Sequence, residues 1–198
     1  MSSESHAGHL SGPRTGTAAS TAIPSQTRGA TSHTGLERFN TAPAGAAEAA
    51  LLACCGSRRW AQRLAAHRPY PTLDALLAAA DEASYDLSAP DLDEALADEA
   101  SAVPHPGIPA AALTALRAAH AAYESSFGHA FVISLDGYEA DEHLNQVLAG
   151  IRSRLGNERD EERAVAADEL RRLARTRLAH LVADATGAGA PDSPSVPV

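Results

Sequence analysis

The chain has 198 residues, 44% hydrophobic but only 4% aromatic, so we expect one folded domain whose core is built mainly from Leu, Ala, Val and Ile. A formal net charge of −9 argues against the basic face that nucleic-acid binding requires. No run approaches the ~20 apolar residues of a membrane span, and residues 1–34 lack the apolar centre of a secretory signal. We therefore expect a cytoplasmic protein with neither nucleic-acid nor membrane partners.

Both ends of the chain have the composition of disordered tails. Residues 1–34 are rich in Ser, Thr, Gly and His, and residues 186–198 are rich in Gly, Pro and Ser. Neither stretch has a hydrophobic period. The predicted folded domain is therefore residues 35–185.

Helix signals recur through the first half of this domain. Asn40 precedes Pro43, which is typical of a helix start, and Gly56 is the expected stop of the helix that follows. A second, short helix carries Trp60. Thr72 is placed to cap a third helix, in which apolar residues recur at i, i+3, i+4 and i+7.

A fourth helix is predicted to open at Ser88, before three prolines and a glycine in residues 103–109 exclude helix there. A fifth predicted helix ends at Gly128 and a sixth at Gly156. The last runs over about residues 161–182. With no alternating strand pattern and no repeat, the sequence predicts an all-α, compact single-domain bundle of about seven helices.

Standard catalytic motifs are missing from the sequence. It has no phosphate-binding glycine loop, no nucleophile elbow and no paired-cysteine zinc pattern. The adjacent Cys54 and Cys55 are interpreted as reduced, partly buried apolar residues. Without such motifs, composition and residue pattern alone predict no more than a helical domain.

Arg177 is the first residue that stands out. It lies one turn after Leu173 and one turn before Leu181, on the apolar stripe of the last predicted helix. A charge there is costly unless it is paired or faces a cavity. Two interpretations stay open, an arginine that snorkels at the edge of the core and one that binds an anion through its planar fork.

The second feature is the apolar run Phe131-Val132-Ile133, which follows the helix stop at Gly128. Extended backbone leaves N–H and C=O groups free to meet a ligand. Taken alone, however, the run is better interpreted as a plain connector whose side chains fill the core.

Together these features resemble the family of OHCU decarboxylases, where OHCU is 2-oxo-4-hydroxy-4-carboxy-5-ureidoimidazoline. The resemblance covers about residues 36–182. The matching pieces, in the family order, are Phe39-Asn40, residues 55–60, residues 68–70, residues 122–129 with 131–133, and residues 154–157 followed by Glu161, Ala167, Glu169-Leu170 and Arg177-Leu178.

The resemblance implies a cofactor-independent lyase that converts this small, anionic ureidoimidazoline to (S)-allantoin, the last step from urate. In the family a histidine donates the proton, a glutamate holds and polarises the substrate, and an arginine binds its polar groups. Arg177 matches the arginine. Phe131, Val132 and Ile133 match a segment whose backbone hydrogen-bonds the substrate ring. Family members are often dimers, so a homodimer is a further expectation.

The chain departs from the family between Leu96 and Tyr123. Only 26 residues separate the two, too few for both the family's His-Pro turn and its Ser-x-x-Glu-Gln turn. In one alignment Glu99 is the family glutamate and the histidine segment is deleted. In the other, His105 is the family histidine and the glutamate segment is lost. We favour the first, in which His105 could still enter the site from a new loop.

Two hypotheses about function follow. The protein is either a decarboxylase in urate breakdown, with Glu99 and His105 as its catalytic candidates, or a catalytically degenerate relative that binds a ligand or serves as a helical interaction module. Two further histidines are weaker candidates. His120 lies on an apolar helix stripe and is interpreted as a satisfied core histidine, and His129 is assigned a surface or structural role.

Overall fold

The computed structural model describes residues 34–102 and 109–184, and within these ranges the chain forms helices and no strand. All described residues belong to one compact unit. The helices are α1 (Gly35–Thr41), α2 (Ala44–Leu52), α3 (Arg58–Ala66), α4 (Leu73–Tyr85), α5 (Ala89–Ala97), α6 (Ala110–Phe127), α7 (His143–Arg154) and α8 (Arg159–Asp184). The predicted all-α class is confirmed. Apart from Thr34, the predicted tails lie outside the described residues.

Predicted helix ends are set by the expected local chemistry. The Thr72 hydroxyl accepts a hydrogen bond from the Ala75 amide at the start of α4. Ser88 forms a capping box with Asp91 at the start of α5. Gly128 ends α6 with φ of 83°, a left-handed conformation that glycine adopts without strain. These ends depend on neighbours in sequence, which is why the pattern predicted them.

Of the eight helices in the described ranges, the first, α1, was not predicted. Thr34, which was assigned to the N-terminal tail, caps it in a reciprocal capping box with Glu37. Its seven residues, about two turns, bury Phe39, whose ring stacks on Tyr70 at 6.5 Å between centroids. The helix is too short to show an apolar period, so its stability comes from the cap and this contact.

Buried apolar residues form two clusters. The larger joins side chains from α1 to α5 and α8. The smaller joins α6 and α7 through Leu116, Tyr123, Val147 and Ile151. None of the helices in the described ranges is long and apolar enough to cross a membrane.

Residues 130–134 run between the two clusters without regular secondary structure. Val132 is 2% exposed and belongs to the larger cluster, while Phe131 is fully buried in the smaller one. Successive side chains of an extended chain point to opposite sides. The segment is therefore held between the two cores by alternate residues.

Candidate active site

Glu99 and Arg177 form a bidentate ion pair, although 78 residues separate them in sequence. Arg177 Nη1 lies 2.5 Å from Glu99 Oε1, and Nη2 lies 2.9 Å from Oε2. The Glu99 side chain is 8% exposed and that of Arg177 is 39% exposed. The structure thus brings together two residues that the sequence nominated from unrelated features.

Local structure places both partners. Glu99 follows the end of α5, and its amide donates back to the Leu96 carbonyl, which continues the last turn. Arg177 lies in α8, and its Nη1 also donates to the Cys54 carbonyl at 3.2 Å, in the turn after α2. The hydrogen bonds to Glu99 raise the pKa of Arg177, so its charge is permanent.

The pair leaves one edge of the Arg177 guanidinium unused. An arginine has five N–H donors, and Glu99 and Cys54 take three of them. The donors left are Nε–H and the second Nη2–H, for which no partner is found in residues 34–102 and 109–184. These two point the same way and form the side-on fork that binds a carboxylate bidentately. Arg177 can therefore hold Glu99 and a second anion together.

Cys54 and Cys55 lie near this pair, but their thiols are not reactive. Both are buried free thiols. Burial raises the pKa of each from 9.0 to about 11. At neutral pH both are therefore protonated and poor nucleophiles, which agrees with their interpretation as reduced, buried residues.

The Phe131–Ile133 segment is pinned through specific backbone atoms. The Phe131 amide donates to Ser101 Oγ at 3.2 Å, the Val132 carbonyl accepts from Arg154 Nη1 at 2.8 Å, and the Ser134 amide donates to Glu169 Oε2 at 2.7 Å. Ser101 comes two residues after Glu99, so it joins the Glu99 segment directly to Phe131.

Ile133 is the exception in this segment. Within the described residues neither its amide nor its carbonyl has a hydrogen-bond partner, and its side chain is only partly buried. Phe131 and Val132, by contrast, have their side chains in the cores. Of the three predicted binding residues, Ile133 is thus the one with both of its backbone groups unused.

Arg154 is a residue whose role the sequence analysis missed. Its side chain is 9% exposed and pairs with Glu162, which is fully buried. Arg154 follows Ile151 and Val147 on the apolar stripe of α7, and Glu162 precedes Ala166 and Leu170 on that of α8. A charge on an apolar stripe was the signal that singled out Arg177, and applied to the other helices it would have found this pair.

The three candidate histidines differ in their surroundings. His105 lies outside the described residues. His120 is buried on α6 as predicted, with its ring stacked on Phe131 at 6.3 Å. The prediction that it is satisfied was wrong for the described part of the chain, in which its Nε2 has no hydrogen-bond partner. His129 is partly buried, and its Nδ1 lies 3.0 Å from the Ala130 carbonyl.

Two open cavities border the site. Glu99 lines one of about 480 Å³ together with Ser101, Glu124 and His129. Ile133 lines another of about 610 Å³ on the side of Tyr138 and Thr176. Both volumes are in the range that small ligands occupy. Arg177 is not among the residues that line either of these two cavities.

Residues 40–179 match the model of a family described as OHCU decarboxylase. No curated protein matches the chain.

The solved structures that share the fold include the following two. One is the crystal structure of an (S)-allantoin synthase, with a TM-score of 0.60 and 18% identity, which covers 74% of this chain and 53% of the other. This chain therefore spans about half the length of that protein. The second is an OHCU decarboxylase crystallised in the presence of (S)-allantoin, with a TM-score of 0.56 and 23% identity over 66% of this chain and 95% of the other.

Proposed function

Since the chain belongs to the OHCU decarboxylase family, a family of lyases that act on a small-molecule substrate, we propose that it decarboxylates OHCU to (S)-allantoin without a cofactor. The observation that carries the proposal is the free side-on fork of Arg177 beside the Glu99 carboxylate. An anionic ligand with N–H donors fits this pair, because the arginine can bind its anionic part while the glutamate accepts from its N–H groups.

The proposed chemistry needs little from the protein. The carbon–carbon bond to the carboxylate breaks, CO₂ leaves, and the electron pair stays on the ring. One proton is then added to the ring carbon that bears the ureido group, and the proton of the 4-hydroxyl moves to the ring nitrogen as that hydroxyl becomes the carbonyl of (S)-allantoin. Arg177 stabilises negative charge on the substrate, Glu99 holds and polarises it, and the free peptide groups of Ile133 hydrogen-bond the ring.

His105 is the proposed proton donor. Ala102 packs against the smaller core together with Ile133. His105 follows it by three residues, which is a reach of at most ~11 Å for an extended chain. An imidazole also titrates near neutral pH and so can deliver a proton there. The pairing of Glu99 with Arg177 supports the alignment in which Glu99 is the family glutamate, with His105 as a replacement donor.

The test is conversion of freshly prepared OHCU, with the chirality of the product followed by circular dichroism. We expect (S)-allantoin to form faster than by spontaneous decay, and turnover to fall at least ~100-fold in Arg177→Ala, as when a transition-state charge contact is removed. Arg163→Ala is the matched control, since Arg163 is a partly exposed arginine of α8 that pairs with Asp93. A wild-type rate equal to spontaneous decay would contradict the proposal.

A titration with (S)-allantoin separates catalysis from binding. His105→Gln is expected to lose turnover but keep (S)-allantoin affinity, because the donor acts on the reacting carbon. If the wild type binds (S)-allantoin without turnover, and Arg177→Ala does not bind it, the protein is a ligand-binding relative. If neither binds, a role as a helical interaction module is favoured.

A further inference from the structure

We propose that Arg154, which lies in the buried network behind the segment, and Glu169, which lines the cavity beside Ile133, are positioning residues that aim the two free peptide groups of Ile133. The inference rests on the proposed function, since it assigns these residues a role in that same site. Burying the Arg154 guanidinium costs desolvation free energy, so its contacts need an explanation.

Arg154 and Glu162 are two charges almost wholly removed from water. Such a pair does not by itself stabilise a fold, because desolvation offsets the attraction. Arg154 Nε and Nη2 lie 2.8 and 2.5 Å from Glu162 Oε1, and Nη2 also donates to the Tyr123 hydroxyl at 3.2 Å. The remaining contact, from Nη1, goes to the Val132 carbonyl at 2.8 Å.

The surroundings of Arg154 make it a rigid anchor. Glu162 accepts further hydrogen bonds from the Tyr123 hydroxyl and from Asn157 Nδ2. The Arg154 guanidinium carbon lies 4.6 Å from the centre of the Phe131 ring and 5.6 Å from that of Tyr123. With its partners and both ring contacts in place, the guanidinium has little freedom, and the Val132 carbonyl is held against it.

The planarity of the peptide bond carries this constraint to Ile133. The Val132 carbonyl and the Ile133 amide belong to one planar, trans peptide group, so they point in opposite directions. A carbonyl bound to Arg154 therefore turns the Ile133 N–H away from Arg154. The same geometry holds one residue later, where Glu169 binds the Ser134 amide and so turns the Ile133 carbonyl away from Glu169.

Two buried or half-buried side chains thus set the direction of a donor and an acceptor that they do not touch. The ligand that this arrangement suits has an adjacent N–H and C=O, as a ureido group or a ring amide does. Loss of either anchor should leave the fold intact but let the corresponding peptide group rotate.

The experiment compares variants at the anchors with a variant beside them. Arg154→Lys keeps a positive charge for Glu162 but loses the fork, and Glu169→Ala removes the acceptor for Ser134. The matched control is Asn157→Ala, which weakens the same buried network without contacting the segment. Glu169→Gln is the conservative rescue, because its amide oxygen still accepts from Ser134.

Two readouts are needed, the amide ¹H–¹⁵N resonances of Ile133 and Ser134 and the dissociation constant for (S)-allantoin. We expect Arg154→Lys and Glu169→Ala to move these resonances and to weaken (S)-allantoin binding about tenfold, the effect of one misplaced hydrogen bond. Asn157→Ala and Glu169→Gln should stay within about twofold of the wild type.

The outcomes separate this inference from the proposed function. If the wild type binds (S)-allantoin and the anchor variants bind it as tightly as the control does, the positioning role is overturned and the proposed function stands. Unmoved resonances in the anchor variants overturn it as well. If the wild type neither binds (S)-allantoin nor converts OHCU, the proposed function fails and the positioning role falls with it.

Discussion

Gly56 lies so close to Asp98 that a Cβ atom at Gly56 would come within 2.6 Å of the Asp98 Cβ. Gly56 belongs to the turn after α2 whose Cys54 carbonyl binds Arg177, and Asp98 immediately precedes Glu99. The close approach therefore joins the two segments that hold the Glu99–Arg177 pair. It requires glycine because of space, since Gly56 does not have a positive φ.

Gly56→Ala should consequently weaken the site. We expect it to cost ~1–3 kcal/mol of unfolding free energy, as overpacking does, and to reduce (S)-allantoin affinity by displacing Glu99. Urea unfolding and ligand titration are the measurements. Gly45→Ala is the control, because a Cβ there meets nothing within 4 Å, and a helical Gly→Ala change should stabilise by ~0.5–1 kcal/mol.

A second substitution tests the cause of that loss. In Gly56→Ala/Asp98→Gly the clashing Cβ of residue 98 is absent, so the double variant should recover part of the stability and affinity lost in Gly56→Ala. The double variant Gly56→Ala/Asp98→Ala keeps the Cβ of residue 98, so it should not recover the stability or affinity lost in Gly56→Ala. Equal behaviour of the two double variants would show that the contact is not the cause.

Removing Arg177 and removing Glu99 from their ion pair should lower the unfolding free energy by unequal amounts. Arg177→Met leaves a nearly buried carboxylate without its counter-ion, which we expect to cost ~1–3 kcal/mol. Glu99→Gln leaves a guanidinium that is 39% exposed and that water can solvate, so its cost should be below ~1 kcal/mol. Urea unfolding at neutral pH measures both.

The double variant Arg177→Met/Glu99→Gln sharpens this prediction. It removes the uncompensated charge, so it should be more stable than Arg177→Met alone. A double variant whose loss equals the sum of the two single losses would mean that the two residues do not interact energetically.

The two thiols should resist modification while the protein is folded. A pKa near 11 for Cys54 and Cys55, against the ordinary 9.0, leaves about 100-fold less thiolate at neutral pH, and burial hinders access further. Iodoacetamide labelling followed by mass spectrometry should show both unmodified in native protein and both labelled in urea. Rapid native labelling of either one would contradict its burial.

His120 should make the protein less stable in acid. Burial lowers its pKa below the ordinary 6.5, and the nearby Glu124 only partly opposes this. As the pH falls below 6.5, His120 takes up a proton in the unfolded chain but not in the folded protein. The free energy of unfolding therefore decreases until the pH has passed the lowered pKa. Thermal unfolding between pH 7.5 and 5 should therefore show a smaller loss of stability in His120→Gln than in the wild type.

The control for this prediction is His180→Gln, which removes an exposed histidine of α8. It should follow the wild-type pH dependence. If His120→Gln also follows it, proton uptake at His120 does not contribute to the acid sensitivity.

The sequence by itself determined the helical class, most helix ends and two of the site's residues. Caps such as Thr72 and Ser88 and the stop at Gly128 act on neighbouring residues, so they can be read locally. Arg177 could be singled out because a charge on an apolar stripe violates the pattern of its own helix. Glu99 was recognised only through the family resemblance.

Only the tertiary structure decided which groups meet. Glu99 binds Arg177 end-on, and Arg154 reaches the Val132 carbonyl. Phe131 and Val132 enter different cores. All of these arrangements depend on contacts between residues that lie far apart in the chain. Pattern and propensity describe one element at a time, whereas a hydrogen bond depends on distances and angles that the packing of several elements sets. This is why the charged residues could be noticed in the sequence while their partners could not.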